Sequence, residues 1–387
     1  MARGSIKWRG EVDSRGRPII SKGSWSIIVD IGKDASGKRK QTWITFRGTK
    51  RQAEERLTEL LRQTDQGLPI VKGKLTLGEW ATRWLEEDIK PNRRIRTYEH
   101  YESIVRIHIR PALGHHHLAA LTPAHVKTFM AQLTAKEMAP AGIAVVRVVL
   151  HGALKAAIRQ DLLIRNVVAA VPPPRAEQAE ITPPDIQAVR RILSLAESTG
   201  RPAFPILHFL AYTGARAGEA LGLTWAAVDL DKGSVAIVQS LGRARIGKII
   251  QSPKTRNGRR IIDLDSRTVA VLRAHQGRQL LEKMQAEGAY DDKGYVFANA
   301  LGQPLDPKWP TRNFQALAKQ CGVPPVKLHS LRHFHASVLL AADQSIFEVS
   351  RRLGHASIST TADIYGHLLP GQSKKQADAF AAMMERA

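Results

Sequence analysis

Residues 353–365 read LGHASISTTADIY, in which a Gly-His pair stands ten residues ahead of a tyrosine. Taken alone, Gly354-His355 is typical of a helix end with a histidine facing the helix dipole. Tyr365 alone is typical of a packing residue. Three further islands precede this stretch, and they read TGARAGE at 213–219, SPKTR at 252–256 and HSLRH at 329–333. Each island is weak by itself, so the four have to be interpreted together.

The islands contain the side chains that are needed to cut and rejoin DNA without a metal. Attack on a phosphodiester spreads negative charge over the non-bridging oxygens. Cations must hold that charge while a proton reaches the leaving oxygen. Arginine suits this task because its planar guanidinium binds two oxygens at once and keeps its charge. A free tyrosine has a pKa of about 10, so a tyrosine nucleophile needs cationic surroundings.

In order and residue type, over about 150 residues, the islands resemble the catalytic domain of the tyrosine recombinase (phage integrase) family. The resemblance implies that Arg216 and Arg332 clamp the scissile phosphate. It implies that Tyr365 attacks this phosphate and forms a 3′-phosphotyrosine bond. The energy of the broken bond is stored in that link, so the resemblance implies no cofactor, no ATP and no metal.

The other island residues receive supporting roles from the same resemblance. Lys254 is expected to be the general acid that protonates the departing 5′ oxygen, with Lys248 on the same predicted hairpin as the alternative. His329 is expected to assist proton transfer or to hold a phosphate oxygen. His355 is expected to donate to the same phosphate, and Glu219 to orient the arginine-bearing turn.

Two groups of histidines suggest a metal site, and we do not predict one at either. His115, His116 and His117 are adjacent, so their side chains point in different directions, and no Cys or acidic partner is near in sequence. His329, His333 and His335 have roughly helical spacing, but the resemblance already assigns His329 to phosphate chemistry. The order Phe334, His335, Ala336 departs from the family, which leaves the role of His335 open.

The charge of the chain favours a polyanionic partner. Its 58 Lys+Arg against 35 Asp+Glu give a formal net charge of +23, and the excess is spread over all three parts of the chain. Nucleic acid is the default partner for such a charge, and a merely soluble basic protein is the alternative. The single cysteine, Cys321, excludes an intrachain disulfide and a thiolate metal site. No signal sequence is visible, and the apolar stretch 141–150 is too short for a membrane span.

The first part of the chain predicts a small sheet and a helix. Residues 23–31 and 41–47 alternate as strands, and 49–62 has the apolar periodicity of a helix. The basic side chains Lys33, Lys38, Arg39 and Lys40 are predicted to lie in the hairpin between the strands. Such a hairpin can enter a groove of DNA, although a solvated turn fits equally well. The candidate DNA contacts here are Lys38, Arg39 and Lys40.

The middle part predicts a helical bundle. Thr76 and Glu79 form a capping box ahead of an amphipathic helix. Three more helices are predicted at 97–107, at 122–133 and at 141–161. Pro111 is predicted to end the first of these. The run VPPP at 171–174 cannot continue a helix and predicts an extended connector.

The third part predicts a mixed α+β fold. Helices are expected at 182–197, with Pro183 and Pro184 at the start, and at 203–212. Strands are expected at 235–239 and 260–264, on either side of a basic stretch. That stretch supplies three more candidate DNA contacts, namely Arg243, Arg245 and Arg256.

The predicted fold is therefore multidomain and mostly α-helical. An arm-type DNA-binding domain with a three-stranded sheet and a helix is expected over 1–66, a core-binding helical domain over 74–172, and a mixed α+β catalytic domain over 178–387. The resemblance supplies these domain names and the third strand. The extra N-terminal domain favours an integrase of a phage or mobile element. A type IB topoisomerase and a recombinase that resolves chromosome dimers or plasmids remain alternatives.

The resemblance also implies the partners. Double-stranded DNA with core and arm-type sites is the expected substrate, bound by a homotetramer. A DNA-bending protein and an excisionase are possible accessory factors, and no membrane partner is expected. The expected location is the bacterial cytosol, at the nucleoid.

Overall fold

The computed structural model describes residues 3–33, 39–65, 75–174, 183–252, 258–365, 377 and 380–385. The chain forms two compact units, residues 1–178 and 179–387.

The first unit begins with an antiparallel sheet of three strands, in the order β1 (Gly4–Val12), β2 (Pro18–Lys33) and β3 (Arg39–Phe46). Helix α1 (Lys50–Asp65) packs against one face. Ile27, Val29 and Leu60 are buried between them. The alternation that predicted β2 and β3 is explained by this burial, since every second residue of a strand points to the same face. The strand β1 was not predicted from its own residues.

The basic hairpin lies differently from the prediction. Lys33 pairs with Arg39 across the end of the sheet, so both residues belong to strands, and Lys40 follows in β3. The prediction that they occupy the hairpin loop was wrong, because the strands continue into the charged segment. Lys38 lies outside the described residues.

Helices form the rest of the first unit. They are α2 (Leu77–Trp84), α3 (Lys90–Asn92), α4 (Ile95–Ile104), α5 (Arg110–Leu113), α6 (Pro123–Ala135) and α7 (Pro140–Arg159). The predicted capping box is confirmed: Thr76 accepts from the backbone N–H of Glu79, and the Glu79 side chain accepts from the backbone N–H of Thr76.

Pro111 does not end its helix, and that prediction was wrong. A π-helical turn (Val105–Ile109) joins α4 to α5, and it closes with the Arg110 N–H donating to the Val105 carbonyl. Pro111 follows in the first turn of α5, where the missing N–H of a proline is tolerated. The same arrangement recurs at Pro91, after the π-helical turn Leu85–Ile89.

Helix α7 is the core helix of this bundle. It has 20 residues and, among the described ranges, it alone is long and apolar enough to cross a membrane by length and composition. The stretch 141–150 is the first half of this longer apolar helix. Its buried residues pack with those of α2 and α6 in one core, and its Ala153 carbonyl accepts from Trp80 Nε1 at 2.8 Å. Arg147 donates to the carbonyls of Val168 and Val171, which holds the start of the VPPP connector on the bundle.

The described part of the second unit consists of helices and two small sheets. One sheet has the order β4 (Val228–Asp229), β5 (Ser234–Ile237), β8 (Arg260–Asp263), and the other is the hairpin β6 (Ser240–Ala244) and β7 (Gly247–Gln251). The helices are α8 (Ile186–Ser198), α9 (Phe204–Thr213), α10 (Ala217–Leu221), α11 (Ser266–Gln285), α12 (Trp309–Gln320), α13 (Ser330–Ala341), α14 (Ile346–Leu353) and α15 (Ile358–Tyr365).

The helix α9 is buried along almost its whole length, as its apolar run predicted. The start of α8 was predicted wrongly. Pro183 and Pro184 precede the helix, and Asp185 caps it by accepting from the backbone N–H of Ala188 at 2.6 Å. A carboxylate that satisfies a helix N–H is a stronger start signal than the prolines.

Candidate active site

Tyr365 is the last residue of α15 and is only 2% exposed. Its ring packs in a small apolar cluster with residues of α13 and α14, among them Ala336 and Leu353. The hydroxyl is hydrogen bonded to Nδ1 of His333 at 2.7 Å. Burial raises the pKa of Tyr365 to about 12, although the charge of Arg332 opposes this. The hydroxyl is therefore protonated in the free protein.

Arg332 lies on α13 with 3% exposure. Nη1 donates to the Gly214 carbonyl at 2.8 Å, and Nη2 donates to the Leu353 carbonyl at 2.7 Å. Burial and the neighbouring Arg216 lower the pKa of Arg332 to about 9, so its charge persists at neutral pH. Two carbonyls from distant segments thus orient one buried guanidinium.

Glu219 joins two arginines. Its carboxylate accepts from Arg216 Nη1 at 2.8 Å and from Arg260 Nη2 at 2.9 Å. It also accepts from the backbone N–H of Arg216 at 2.9 Å, which caps α10. Arg260 is almost fully buried and donates Nε to the Arg352 carbonyl. Glu219 therefore sets the position of Arg216, and β8 holds Glu219 through Arg260.

Replacing Glu219 by glutamine is expected to lower the free energy of unfolding of the second unit by about 3–5 kcal/mol, because it leaves buried guanidinium charge uncompensated. Burial raises the pKa of Glu219, but the hydrogen bond and charge of Arg260 outweigh it, so the net shift is below the usual 4.5. A lowered folded-state pKa means that this stabilisation is present above pH 4.5 and is lost as the pH falls through the folded-state pKa. Denaturant unfolding of both proteins between pH 3 and pH 7 measures this difference.

The matched control is Glu197→Gln. Glu197 pairs with Arg267 at 2.6 Å, but both side chains are about half exposed. This variant is expected to cost about 1 kcal/mol or less. Equal losses of unfolding free energy in the two variants would show that the buried carboxylate stabilises the unit no more than an exposed one.

The two predicted active-site histidines are electrically neutral in the free protein. Burial and nearby positive groups lower the pKa of His329 and of His355 to about 4. Nδ1 of His355 is hydrogen bonded to the Thr361 hydroxyl at 2.7 Å, which fixes the ring. Arg216 and Arg332 contribute to both shifts, so the four side chains lie close together.

His335 has a structural role that the sequence left open. Its Nε2 accepts from Arg352 Nε at 3.1 Å, so Nδ1 carries the proton and donates to the Ala211 carbonyl at 3.1 Å. Its ring also lies against Gly214, which has a φ of +63°, and a Cβ there would come within 2.7 Å of the ring. His335 therefore connects α13 and α14 to the turn that leads to Arg216.

A cavity of about 260 Å³ opens beside the arginine-rich cluster. Its polar lining consists of Thr311, Lys327, His329 and Arg332. One water needs roughly 15 Å³ of such volume, so the cavity is large enough for a bigger polar group.

The structure brings together most of the predicted site. Within the described residues these are Arg216, Glu219, His329, Arg332, His355 and Tyr365. Lys254 and Arg256 lie outside the described residues.

The remaining described candidates of the second unit lie on the β6–β7 hairpin. Arg243 is in β6 and pairs with Asp306 at 2.9 Å, and Arg245 is in the turn. Lys248, the alternative general acid, lies in β7, and its ammonium group donates to the Pro304 carbonyl.

Sequence reasoning missed two residues of this site. From the sequence, Arg260 is predicted only to begin a strand, and His333 appears only in a histidine group for which we predict no metal site. The alternating pattern of β8 could have indicated that Arg260 points inward. No sequence signal places His333 beside Tyr365. In the described parts of the chain, no group of three or more His, Cys, Asp or Glu side chains has a metal-binding arrangement.

Comparison with known proteins identifies the family of this chain. The model of the phage integrase family matches residues 185–371, and that of the phage integrase N-terminal SAM-like domain matches residues 76–134. An integrase from Streptomyces ambofaciens is 30% identical over 358 residues, which cover 88% of this chain and 88% of that protein. The chain belongs to the phage integrase family of tyrosine recombinases. It is a site-specific recombinase that breaks and rejoins DNA strands.

Another curated relative matches most of its length, and solved integrases share its fold. A tyrosine recombinase XerC-like protein from Caldanaerobacter subterraneus subsp. tengcongensis is 29% identical, over 90% of this chain and 93% of that protein. The Tn1549 transposon integrase in complex with transposon right end DNA has a TM-score of 0.68 at 19% identity, over 79% and 99% of the chains. A lambda integrase tetramer bound to a Holliday junction has a TM-score of 0.57 at 19% identity, over 89% and 93%. The predicted multidomain, mostly α-helical recombinase fold is confirmed.

Proposed function

We propose that this recombinase is the integrase of a phage or another mobile element and that Tyr365 is its nucleophile. The observation that carries the proposal is the placement of the Tyr365 hydroxyl in one buried cluster with Arg332. The neighbouring Arg216 lies close enough to lower the pKa of Arg332. Arg332 beside the phenol, with Arg216 next to Arg332, supplies the clamp, and the phenol supplies the nucleophile for one phosphodiester.

Arg332 would hold the scissile phosphate with the N–H groups that its two carbonyl bonds leave. Those bonds use one hydrogen on each terminal nitrogen, and a guanidinium has five. Because the fork is already oriented, little reorganisation is needed when negative charge develops on the phosphate. Arg216 would bind the same phosphate while Glu219 holds its other side.

The remaining roles complete the exchange. Lys254, two positions beyond Ser252 in the sequence, would protonate the departing 5′ oxygen. His329 lines the cavity beside Arg332 and would contact a phosphate oxygen, as would His355. These assignments use no metal and no cofactor.

The N-terminal sheet would contact an arm-type DNA site. The face turned away from α1 carries exposed Lys7, Arg9, Trp43 and Thr45, with the Arg9 guanidinium 5.5 Å from the Trp43 ring centroid. A basic sheet face of this width suits a DNA groove. The bundle α2–α7 would bind the core site, and Lys38, Arg39, Lys40, Arg243, Arg245 and Arg256 would add backbone contacts.

The assembled form would be a homotetramer on double-stranded DNA, as the related lambda integrase forms on a Holliday junction. A bending protein and an excisionase would be its accessory factors. The site of action would be the bacterial cytoplasm, at the nucleoid.

The test uses nicked duplexes tiled across both ends of the DNA element that carries the gene. A nick just past the scissile phosphate releases the 5′ end and traps the covalent intermediate. Wild-type protein is expected to form an adduct that withstands denaturation, and peptide mapping is expected to place the DNA on Tyr365. No adduct on any duplex, or an adduct on another residue, would overturn the proposal.

A type IB topoisomerase would behave differently in a second assay. It would relax arbitrary supercoiled DNA as fast as it recombines the element ends. An integrase is expected to relax such DNA far more slowly than it acts on its own sites. Equal rates would favour the topoisomerase.

A further inference from the structure

His333 has a direct contact with the reacting oxygen. It lies on α13, one residue after Arg332, and its Nδ1 is 2.7 Å from the Tyr365 hydroxyl oxygen. The two ring centroids are 5.7 Å apart, and His329 meets the His333 ring edge-on at 5.0 Å. The His333 imidazole thus lies between His329, which lines the cavity beside Arg332, and Tyr365.

We propose that His333 is the general base that removes the proton of Tyr365 during strand cleavage. This inference rests on the proposed role of Tyr365 as nucleophile. The O–H bond of Tyr365 breaks, its proton passes to Nδ1 of His333, and the oxygen forms a bond to phosphorus. The bond from phosphorus to the 5′ oxygen breaks, and that oxygen takes a proton from the general acid. Rejoining reverses each transfer, so His333 returns to its neutral form.

Geometry favours His333 over the other groups near the hydroxyl. The direct hydrogen bond lies within the 2.6–3.2 Å range that proton transfer needs. Arg332 is a cation with no acceptor atom. Nδ1 of His355 is already bonded to Thr361.

The charge state of His333 suits a base. The charged and titratable groups that face it are His329, Arg332, His355 and Tyr365. Burial and the charge of Arg332 lower the pKa of His333, so the imidazole is neutral and one ring nitrogen can accept a proton.

DNA binding would activate this pair. In the free protein the tyrosine is a very weak acid and the imidazole a weak base, so the proton stays on the hydroxyl. A phosphodiester bound between Arg216 and Arg332 adds negative charge, which offsets the arginine charge and raises the proton affinity of His333.

The decisive variant is His333→Asn. The asparagine oxygen can occupy the position of Nδ1 and accept the hydrogen bond, but it cannot take up a proton. The rate of adduct formation, measured with the nicked duplex that traps wild type, is expected to fall by a factor on the order of 100 or more. The logarithm of the remaining rate is expected to rise with pH, because hydroxide must then remove the proton.

His275→Asn is the matched control. His275 is a buried histidine on α11 whose Nε2 donates to the Val296 carbonyl, and it has no place in the proposed chemistry. It loses a buried histidine hydrogen bond, so it reports the effect of general destabilisation. Its pH profile is expected to match wild type.

A purely structural role for His333 makes different predictions. If His333 only positions the Tyr365 ring, His333→Asn forms the adduct within threefold of the wild-type rate and with an unchanged pH profile. That result overturns the proposal. If His333→Asn does not fold, His333→Ala with added imidazole decides, since free imidazole is expected to restore adduct formation. Failure of imidazole to restore it, in a variant that still binds the duplex, overturns the proposal. Absence of adduct with wild type would instead refute the role of Tyr365.

Discussion

Tyr365→Phe is expected to abolish the covalent protein–DNA adduct while the protein still folds and binds DNA. The phenyl ring keeps its packing against Ala336 and Leu353, and only the hydroxyl and its bond to His333 are lost. One hydrogen bond contributes about 0.5–1.5 kcal/mol to stability. Strand cleavage has no other nucleophile in the proposed mechanism, so the loss of adduct should be complete on a denaturing gel.

A second tyrosine provides the control. Tyr212 on α9 is 40% exposed, and its side chain has no part in the proposed site. Tyr212→Phe is expected to form the adduct at the wild-type rate. An adduct that persists in Tyr365→Phe would assign the nucleophile to a different residue.

Arg332→Lys is expected to reduce the rate of adduct formation by a factor on the order of 10²–10³, even though the charge is conserved. Loss of one preorganised donor to a developing oxyanion costs about this much. A lysine ammonium has three donors at one nitrogen, so it cannot satisfy the Gly214 and Leu353 carbonyls and still present a fork to the phosphate. Single-turnover kinetics on the trapping duplex measure the change.

The same substitution is also expected to destabilise the second unit. An unsatisfied buried carbonyl costs about 1–3 kcal/mol. The control, Arg267→Lys, changes an exposed arginine that pairs with Glu197 and is expected to alter neither rate nor stability by a measurable amount. A wild-type rate in Arg332→Lys would mean that the bidentate geometry is unimportant.

Much of the fold was predictable because local patterns and burial agree. The Thr76–Glu79 capping box, the apolar run of α9 and the alternation in β2 each reflect a local requirement that the chain satisfies by itself. The strand β1 escaped prediction because its apolar alternation is limited to Ile6 and Trp8, between Gly4 and Gly10. Pairing with β2 stabilises β1 in its extended conformation.

The π-helical turns could not be predicted from single residues. A proline normally indicates the end of a helix, and Pro111 was interpreted in that way. The chain instead widens by one residue before the proline, and packing of α4 and α5 in the bundle core maintains the continuous path. Such a choice depends on tertiary contacts.

The site was predictable in residue type and order but not in geometry. The resemblance identified Arg216, Arg332 and Tyr365 without showing what holds them. The contact between His333 and Tyr365 spans 32 positions in sequence and depends on how α13 and α15 pack. The bond from Arg260 to Glu219 spans 41 positions and joins a strand to a helix.

The carboxylate of Glu219, shared by two arginines, has a consequence for how related chains can diverge. If Arg260 is lost, the carboxylate still has Arg216 as partner, so such a change can be inherited alone. If Glu219 is lost first, two cations face each other without an anion. An acid should therefore disappear at position 219 only in lineages that have already lost the arginine at position 260, which makes the order of these two substitutions one-way.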